Sequence, residues 1–519
     1  MSILTISDLS VRIGRREIVR DVSLAVEPEQ TVGIVGESGS GKSMTVLAAT
    51  GLLDAPGAVV EGSSVLAGEQ ELIGASARTL RGVHGGRIGF VFQDPGTSLN
   101  PLLTVERQIT ESLETHRRMT RRAARQRALE LLTAVGLPDP EKRLESYPHQ
   151  LSGGQRQRVM VAIALSCDPG LLIADEPTTA LDVTTQAQII DLVRELQRDF
   201  GTAVIWISHD LGVIGEVADT VTVLRDGSVV EQGTIDQIFD APGQEYTREL
   251  LAARPLLGGT GPSTAPADTD VLLDVHDLAV RYGGVRAVDD VSFQIRRGTT
   301  LGLVGESGSG KSTVAAALTG LVKPEGGSAV LDGIDVLDRR ADRRRIGMVF
   351  QDPFASLNPR MAVGVSIAEP LVVHRLVDGR AQRRARVAEL LEMVGLDADF
   401  AGRYPHELSG GQRQRISIAR ALAAEPDLLI LDEATAALDV SVQATVLELL
   451  ARLQRELELT YLFIGHDLAV IERMSHAVLV LQGGRTVEYR SADELFSAPE
   501  QDYTRALLAA VPPARPSRS

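Results

Sequence analysis

The chain has 519 residues, a net charge of −16 at pH 7 and a sequence pI near 5.2. Such an acidic chain is a poor general binder of nucleic acid, because neutralising phosphates requires clustered lysine and arginine. Its one cysteine, Cys167, can form no internal disulfide, which fits a reducing cytosol and a buried structural role for the thiol. The sequence contains neither a signal-peptide pattern nor about 18 uninterrupted apolar residues, so we expect other subunits to supply any membrane crossing.

The first pattern in chain order is an apolar strand that leads into a glycine-rich loop. The loop sequence GESGSGKS occurs at 36–43 and again at 305–312, after TVGIVG and TLGLVG. In such a loop, backbone N–H groups and the start of the next helix hold phosphate oxygens. Ser43 and Ser312 would offer hydroxyl ligands to Mg²⁺. The predicted phosphate contacts are Gly36, Ser38, Gly39, Gly41, Lys42, Gly305, Ser307, Gly308, Gly310 and Lys311.

A segment rich in arginine, alanine and leucine follows the motif VFQD (91–94 and 349–352). RQRALELL (125–132) and RARVAELL (384–391) show helical spacing of their apolar residues. This spacing predicts a helical subdomain inserted into an α/β core. Between the glycine-rich loop and VFQD the first copy has 11 extra residues. We interpret these residues as a longer surface loop.

The next motif, LSGGQRQR, occurs at 151–158 and 408–415. Its serine and glycines predict a second anion-binding turn at a helix start, with QRQR opening the helix. The residues placed to contact phosphate are Ser152, Gly154, Ser409 and Gly411. A single domain has no obvious need for a second phosphate cradle.

Two apolar strands in each copy end in polar residues that suit phosphate chemistry. LLIADE and LLILDE place Asp175 and Asp432 to hold Mg²⁺, while Glu176 and Glu433 point to the opposite face and could polarise an attacking water. The alternative is a solvated strand end that caps the next helix. His209 and His466 follow the next strand; such a histidine is usually only a polar strand terminus, but its recurrence favours a role near the γ-phosphate.

The recurrence of these motifs in one order indicates duplication of a whole domain. The copies are separated by RPLLGGTGPSTAPADTD, whose Gly, Pro, Ser and Thr content predicts a flexible linker. We therefore predict domains at 1–253 and 271–519 joined by the linker 254–270. In each domain, alternating apolar strands and helical patterns predict an α/β fold with a mostly parallel sheet.

Seven ordered motifs resemble the nucleotide-binding domain of ABC transporters over nearly the whole chain. Each is present twice, and they are GESGSGKS, VFQD, SLNP, LSGGQRQR, ALDV, HDL and YTR. The resemblance implies two tandem P-loop NTPase domains, each with an N-terminal antiparallel β region. It also implies that two such domains pair head to tail, so that ATP lies between one phosphate loop and the opposite LSGGQ turn. One implied site contains Lys42, Ser43, Gln93, Asp175, Glu176 and His209 with Ser409 and Gly411, and the other contains Lys311, Ser312, Gln351, Asp432, Glu433 and His466 with Ser152 and Gly154.

The resemblance assigns further roles and reveals one departure between the copies. Gln93 and Gln351 match the family's glutamine loop, which implies a Mg²⁺ ligand that takes part in catalysis and reports the nucleotide to membrane subunits. Tyr282 has the position of the aromatic residue that stacks on adenine, whereas the first copy has Ile13. Base–aromatic stacking contributes about 1–3 kcal/mol per base in nucleic-acid systems, so we expect two hydrolysing sites whose affinities can differ.

The motifs QDPGTSLNP, QDPFASLNP and YPH-(Q/E)-LSGGQRQR, together with tails that contain YTR, resemble the ATPases of bacterial dipeptide, oligopeptide and nickel importers. This resemblance implies an ATPase that energises import of peptides, glutathione, metal chelates or similar small solutes. It implies two transmembrane permease subunits and an extracytoplasmic solute-binding protein as partners, no nucleic acid, and a peripheral location at the cytoplasmic face of the inner membrane. The implied cofactors are ATP and Mg²⁺. Some members carry a C-terminal cysteine cluster that this sequence lacks, so we expect no iron–sulfur cluster.

Two other functions remain open from the sequence. A soluble tandem ABC ATPase that acts on ribosomes or DNA would also contain two such domains. Those proteins usually carry a long charged linker or basic extensions, whereas the linker here is short and nearly uncharged. The ATPase of an exporter is disfavoured by the SLNP and YPH motifs.

Overall fold

A computed structural model describes residues 1–179, 181–259, 261–262, 269–338, 343–436 and 438–515. The chain divides into two compact units, whose main segments are Met1–Leu181 with Thr185–Arg254, and Pro255–Val511. Part of the predicted flexible linker, residues 260 and 263–268, lies outside the described residues. The limits of the two domains and of the linker stay predictions.

The described part of the first unit contains two β-sheets. Its strands are β1 (Leu4–Ile13), β2 (Arg16–Val26), β3 (Thr31–Val35), β4 (Ala58–Leu66), β5 (Gln70–Glu71), β6 (Ile88–Val91), β7 (Leu171–Asp175), β8 (Ala203–Ser208), β9 (Thr220–Arg225) and β10 (Ser228–Thr234). One sheet is antiparallel with the order β2-β1-β4-β5. The other has the order β10-β9-β3-β8-β7-β6 and is parallel except for β10 at its edge.

The helices of the first unit include an inserted group between β6 and β7. The helices are α1 (Lys42–Ala49), α2 (Ala77–Val83), α3 (Pro95–Ser98), α4 (Val105–His116), α5 (Arg121–Ala134), α6 (Pro140–Leu144), α7 (Gly153–Leu165), α8 (Val183–Phe200), α9 (Leu211–Val217), α10 (Ile235–Asp240) and α11 (Glu245–Ala253). The predicted helix at 125–132 lies within α5. The predicted longer surface loop is only partly correct, because α2 forms within it; Ser76 caps that helix by accepting the N–H of Thr79.

The second unit repeats this architecture in its described residues. Its sheets have the orders β12-β11-β14-β15 and β16-β17-β18-β13-β19-β20. The strands are β11 (Val271–Tyr282), β12 (Val285–Arg296), β13 (Thr300–Val304), β14 (Gly326–Leu331), β15 (Ile334–Asp335), β16 (Ile346–Val349), β17 (Leu428–Asp432), β18 (Thr460–Ile464), β19 (Ala477–Gln482) and β20 (Arg485–Ser491). The helices are α12 (Lys311–Leu318), α13 (Pro353–Ser356), α14 (Val363–Val373), α15 (Gly379–Met393), α16 (Gly410–Leu422), α17 (Val440–Leu457), α18 (Leu468–Met474), α19 (Ala492–Ser497) and α20 (Asp502–Ala509).

The sequence of the parallel strands explains why they lie inside each unit. Along β7, Leu171 and Ile173 pack in the cluster that contains the antiparallel sheet and α1. The alternate residues, Leu172 and Ala174, pack in the cluster with the inserted helices. Successive side chains of a strand point to opposite faces, so a strand covered on both sides must be apolar throughout. Cys167 is buried in the second of these clusters, as predicted.

The sheet direction determines where the polar motifs meet. In a parallel sheet the carboxyl ends of all strands lie at one edge, and ligands bind beyond that edge. In the first unit, the segments that follow β3, β6, β7 and β8 carry the glycine-rich loop, Gln93, Glu176 and His209. The predicted α/β fold, with a mostly parallel core, an inserted helical subdomain and an N-terminal antiparallel sheet, is confirmed in both units. None of the described helices is long and apolar enough to cross a membrane.

Candidate nucleotide sites

The glycine-rich loop of each unit requires glycine at its first and sixth positions. A Cβ atom on Gly36 would lie 2.2 Å from the carbonyl oxygen of Leu224, and one on Gly305 would lie 2.1 Å from that of Leu481. Gly41 and Gly310 precede the helices α1 and α12 with φ angles of 96° and 105°, a backbone region that side chains rarely adopt. The loop therefore curls tightly at the N-terminus of a helix.

The lysine of each loop lies inside this curl. The Lys42 ammonium donates hydrogen bonds to the carbonyl oxygens of Gly36 at 2.7 Å and Glu37 at 3.1 Å, and its side chain is 6% exposed. Lys311 makes the same bonds to Gly305 and Glu306, each at 2.8 Å. Burial lowers the pKa of Lys311, although neighbouring carboxylates oppose that shift. Each loop thus holds a buried cation among the loop atoms that suit phosphate binding.

The predicted Mg²⁺ residues come together in both units. The Ser43 hydroxyl donates to Asp175 Oδ1 at 2.9 Å, and the Ser312 hydroxyl donates to Asp432 Oδ1 at 3.0 Å. Burial raises the pKa of both aspartates, and the serine hydrogen bond opposes this shift. A hydroxyl and a carboxylate oxygen side by side fit Mg²⁺, which binds through one or two protein oxygens together with phosphates and water.

The Glu176 side chain contacts several groups of the first site. Its carboxylate accepts from Gln93 Nε2 at 2.8 Å and from Thr179 Oγ1 at 3.0 Å. His209 Nδ1 lies 3.3 Å away and Lys42 Nζ lies 3.9 Å away. The Glu176 side chain is 11% exposed. The glutamate therefore lies at the point where the phosphate loop, the glutamine segment and the histidine segment converge.

The second site repeats the glutamine and histidine contacts of this arrangement. Gln351 Nε2 donates to Glu433 Oε2 at 2.6 Å, and His466 Nδ1 lies 3.6 Å from that oxygen. The residue that corresponds to Thr179 is Ala436, which has no hydroxyl to donate. The two sites therefore share their ionisable groups but differ in how the glutamate is held.

Both glutamates occupy the left-handed backbone region. Their φ angles are 46° for Glu176 and 47° for Glu433. The N–H of Glu176 donates to the Ile207 carbonyl at 2.9 Å, and that of Glu433 donates to the Ile464 carbonyl at 2.9 Å. Such a conformation costs on the order of 1–3 kcal/mol for a residue with a side chain, and it clusters at functional sites. The helix-capping alternative does not describe either residue, because its carboxylate contacts side chains of the site.

The charges of each glutamate and histidine stabilise one another. Burial raises the pKa of Glu176, but the hydrogen bond and charge of His209 and the charge of Lys42 outweigh burial and hold the pKa below its ordinary value. Burial lowers the pKa of His209, but Glu176 outweighs it and raises the pKa overall. The pair Glu433 and His466 shifts in the same directions for the same reasons. Each site thus favours a carboxylate beside an imidazolium.

The structure also identifies contacts that the sequence analysis missed. The aspartate in each HDL motif caps the following helix: Asp210 accepts the N–H of Gly212 at 2.6 Å, and Asp467 accepts that of Ala469 at 3.1 Å. An aspartate directly before a short apolar helix was the available signal. Thr179 had no comparable signal, because a threonine after Asp-Glu-Pro has many local roles. Gln93 contacts Glu176 through its amide nitrogen, so its role as a Mg²⁺ ligand stays a prediction.

The LSGGQ serines cap helices in the described structure. Ser152 Oγ accepts the N–H of Gln155 at 3.3 Å, and Ser409 Oγ accepts that of Gln412 at 3.3 Å. The helices α7 and α16 begin at Gly153 and Gly410, so QRQR lies inside the helix rather than opening it. Both serines are exposed at the helix start. Their contact with phosphate stays a prediction, as does that of Gly154 and Gly411.

The position predicted to contact adenine carries different residues in the two units. Tyr282 ends β11 with 49% of its surface exposed, and it pairs with Val285 across the hairpin. Ile13 ends β1 in the same way and pairs with Arg16. The hairpin of the second unit lies against the phosphate loop, because Gly310 is close to the Ala287 carbonyl. An exposed aromatic ring at this hairpin suits stacking on a base, which stays a prediction.

Comparison with known proteins identifies the fold and the family. A solved complex of an archaeal ribosomal stalk protein with the archaeal ribosome recycling factor aABCE1 is 23% identical, covers 93% of this chain and 90% of that chain, and has a TM-score of 0.63. This likeness shows the fold alone.

Closer relatives carry a transport description. A protein of Pectobacterium atrosepticum called glutathione import ATP-binding protein GsiA is 46% identical over 97% of this chain and 88% of its own length. The protein of the same name from Escherichia coli K12 is 47% identical over 96% of this chain and 87% of its own length. A family model described as oligopeptide/dipeptide transporter, C-terminal region, matches residues 487–519. A model described as ABC transporter matches residues 19–179 and 288–436, and the chain therefore belongs to the ABC transporter ATP-binding family.

Proposed function

We propose that the chain hydrolyses ATP at two sites and uses that energy to drive import of small peptides such as glutathione. The observation that carries the proposal is the largely buried carboxylate of Glu176, which contacts a glutamine, a lysine and a histidine whose pKa is raised. The carboxylate of Glu433 contacts the corresponding glutamine and histidine. This constellation recurs beside each phosphate loop. It provides the groups that phosphoryl transfer to water requires, namely phosphate binding, orientation of a nucleophile and compensation of developing charge.

The phosphate loops bind the triphosphate in this proposal. Lys42 and Lys311 turn their ammonium groups from the loop carbonyls towards the β- and γ-phosphates. Ser43 with Asp175, and Ser312 with Asp432, hold Mg²⁺ or its water shell. Bound Mg²⁺ supplies positive charge to the phosphate oxygens and fixes their orientation.

The glutamates orient the attacking water. An ionised Glu176 accepts a hydrogen bond from water, and its lowered pKa keeps it ionised at neutral pH. His209 is held beside this carboxylate and is stabilised as an imidazolium that can compensate charge on the leaving phosphate. Glu433 and His466 do the same in the second site. The signature turns Ser152–Gly154 and Ser409–Gly411 are proposed to complete the opposite site with their serine hydroxyls and helix N-termini.

The proposal of import rests on the relatives and on the C-terminal region. Relatives at 46–47% identity are named for glutathione import, and the oligopeptide/dipeptide transporter region matches 487–519. We propose that two transmembrane permeases and an extracytoplasmic solute-binding protein complete the importer, with this chain at the cytoplasmic face of the inner membrane. The ribosomal alternative has only a likeness of fold, at 23% identity, in its favour.

The first experiment replaces each glutamate by glutamine. We expect Glu176→Gln and Glu433→Gln each to lose at least half of the steady-state ATPase rate. The double variant should lose about 100-fold or more, because an amide cannot accept the proton of water. Nucleotide binding, measured by a fluorescent ATP analogue, should persist in all three variants.

A matched control is Glu195→Gln on the exposed face of α8. This change should leave the ATPase rate unaltered. A single glutamate variant that keeps the full rate would contradict the proposal of two working sites.

A further inference from the structure

The C-terminal segment of each unit is attached firmly before its last helix begins. Glu231 on β10 accepts the N–H groups of Gly243 at 2.7 Å and Gln244 at 3.2 Å. Glu488 on β20 does the same for Glu500 at 2.9 Å and Gln501 at 3.2 Å. The carboxylate thus fixes the entry to α11 and to α20.

The arginine of the YTR motif also binds the turn before the last helix, through the carbonyl oxygens of that turn. Arg248 donates to the carbonyl oxygens of Pro242 at 2.9 Å and Gly243 at 3.3 Å. Arg505 donates to Pro499 at 2.8 Å and Glu500 at 2.9 Å. One side chain from the strand and one from the helix therefore hold the same short turn, which directly precedes the helix that carries the tyrosine.

The tyrosine of the motif reaches the phosphate loop. The hydroxyl oxygen of Tyr246 accepts the N–H of Glu37 at 3.4 Å, and that of Tyr503 accepts the N–H of Glu306 at 3.1 Å. Glu37 and Glu306 are the second residues of GESGSGKS. Tyr246 is 6% exposed, and the guanidinium of Arg225 lies 4.6 Å from the centre of its ring. Burial raises the pKa of Tyr503 to about 12, so this phenol is neutral at physiological pH.

The loop residue that donates its N–H to the tyrosine also accepts a hydrogen bond from the lysine. The carbonyl oxygen of Glu37 accepts from Lys42 Nζ at 3.1 Å and from the N–H of Ser40 at 3.0 Å. Glu306 accepts from Lys311 Nζ at 2.8 Å and from Ser309 N–H at 3.1 Å. One residue is therefore held through its N–H by the tyrosine and through its carbonyl by the loop itself.

We propose that Tyr246 and Tyr503 are positioning residues that hold the phosphate loop in its binding geometry. They make the end of each unit part of the nucleotide site, although they lie 209 and 197 residues from the loop. The inference rests on the proposed binding of ATP at these loops. A loop that is held before the ligand arrives loses less conformational freedom on binding, and the tyrosines act through this effect.

The test removes both hydroxyls while keeping the rings. In the full chain, Tyr246→Phe/Tyr503→Phe should raise the KM for ATP about two- to tenfold, because each change deletes one hydrogen bond to the loop. The kcat should change less than twofold, since no group at the reacting phosphate is altered. In the nucleotide-free chain, the loop amides of Glu37 and Glu306 should exchange with solvent deuterium about threefold faster or more.

The matched control is Tyr489→Phe, whose hydroxyl donates to the Gln294 carbonyl at 2.8 Å in the second unit. It should alter neither KM nor exchange in the loop. An unchanged KM in the double variant, or an equal rise in the control, would overturn the inference. If the unaltered chain binds no ATP, the proposed function fails, and deuterium exchange still decides whether the tyrosines hold the loop.

Discussion

At the residue scale, the two sites differ in the groups that contact the glutamate proposed to orient the attacking water. Thr179 donates to Glu176, whereas the second unit has Ala436 at that position. A hydrogen bond to a charged group, such as this carboxylate, contributes about 1.5–3 kcal/mol to stability. The Thr179 hydroxyl therefore restricts the Glu176 carboxylate in a way that the second site does not reproduce.

This difference gives a prediction for single-turnover hydrolysis. In a chain that carries Glu433→Gln, Thr179→Ala should slow hydrolysis about three- to tenfold, because Glu176 loses one of the groups that orient it. The reciprocal change, Ala436→Thr, made in the same chain, should have little effect, since it lies beside the disabled glutamate. Rapid quenching of radiolabelled ATP measures both rates. Equal rates in Thr179→Ala and its parent would show that the hydroxyl does not position the carboxylate.

The ionisable site residues could be predicted from the sequence, because each lies at the end of a parallel strand or of the loop that follows one. Lys42, Asp175 and Glu176 have the residue types that their chemistry needs, and the carboxyl ends of the strands bring them together. The left-handed backbone of Glu176 was not predictable. Glutamate rarely adopts this conformation, so local preference argues against it, and only the surrounding structure imposes it.

At the element scale, the helix that begins in each LSGGQ motif, α7 or α16, packs closely against the long helix α8 or α17 of the same unit. A Cβ atom on Gly411 would lie 2.4 Å from Val442 Cγ1 of α17. On the neighbouring Gly410, the nearest atom would be Leu438 Cδ2 at 3.9 Å. The two adjacent glycines of one motif therefore have different structural roles, and only the second is required by helix packing.

This difference in packing predicts different effects of alanine substitution at the two glycines. Gly411→Ala should destabilise the nucleotide-free chain by about 1–3 kcal/mol, because valine is stiff and cannot easily move aside. Gly410→Ala is the matched control and should leave stability unchanged or raise it by up to about 1 kcal/mol, since alanine favours the helix. Urea unfolding followed by circular dichroism measures both. Equal stability of the two variants would contradict this account of the packing.

The elements themselves were partly predictable from apolar patterns. The strands before the loop and before Asp-Glu coincide with β3, β7, β13 and β17, since a short, mainly apolar run fits a strand covered on both faces. The helix α2 was missed because its seven residues, ARTLRGV, bury only Val83 and give little periodic signal. A short helix of this kind depends on its serine cap and on its neighbours rather than on its own pattern.

At the scale of the whole molecule, each unit has its own core and its own set of site residues. The first unit contains one cluster around its antiparallel sheet and one around its inserted helices, and the second unit contains the corresponding pair. The contact from Tyr246 to the loop, across 209 residues, was beyond sequence reasoning. The motif YTR recurs in both tails, but its sequence does not show which distant backbone group the tyrosine contacts.

The proposed import function predicts uptake by the assembled system. Proteoliposomes that contain the chain and its permeases, with the solute-binding protein outside and ATP inside, should accumulate radiolabelled glutathione or short peptides. The same system with Glu176→Gln/Glu433→Gln should accumulate neither, because it binds ATP without hydrolysing it. Failure of the unaltered system to accumulate any of these solutes would contradict the import proposal, even if the ATPase rate is high.

The backbone of Glu176 and Glu433 has a consequence for protein engineering. Glycine adopts a φ near +46° without the strain that a glutamate bears there. A library selected only for resistance to heat would weigh the relief of this strain, about 1–3 kcal/mol, against the loss of the carboxylate that stabilises the neighbouring histidine and lysine. Any variant that took glycine at both positions would lack the proposed water-orienting groups. The same selection, run with a requirement for turnover, should retain glutamate at both positions. Replacement of these two residues in a stabilised variant would thus show that the variant had gained thermal stability and lost ATP hydrolysis.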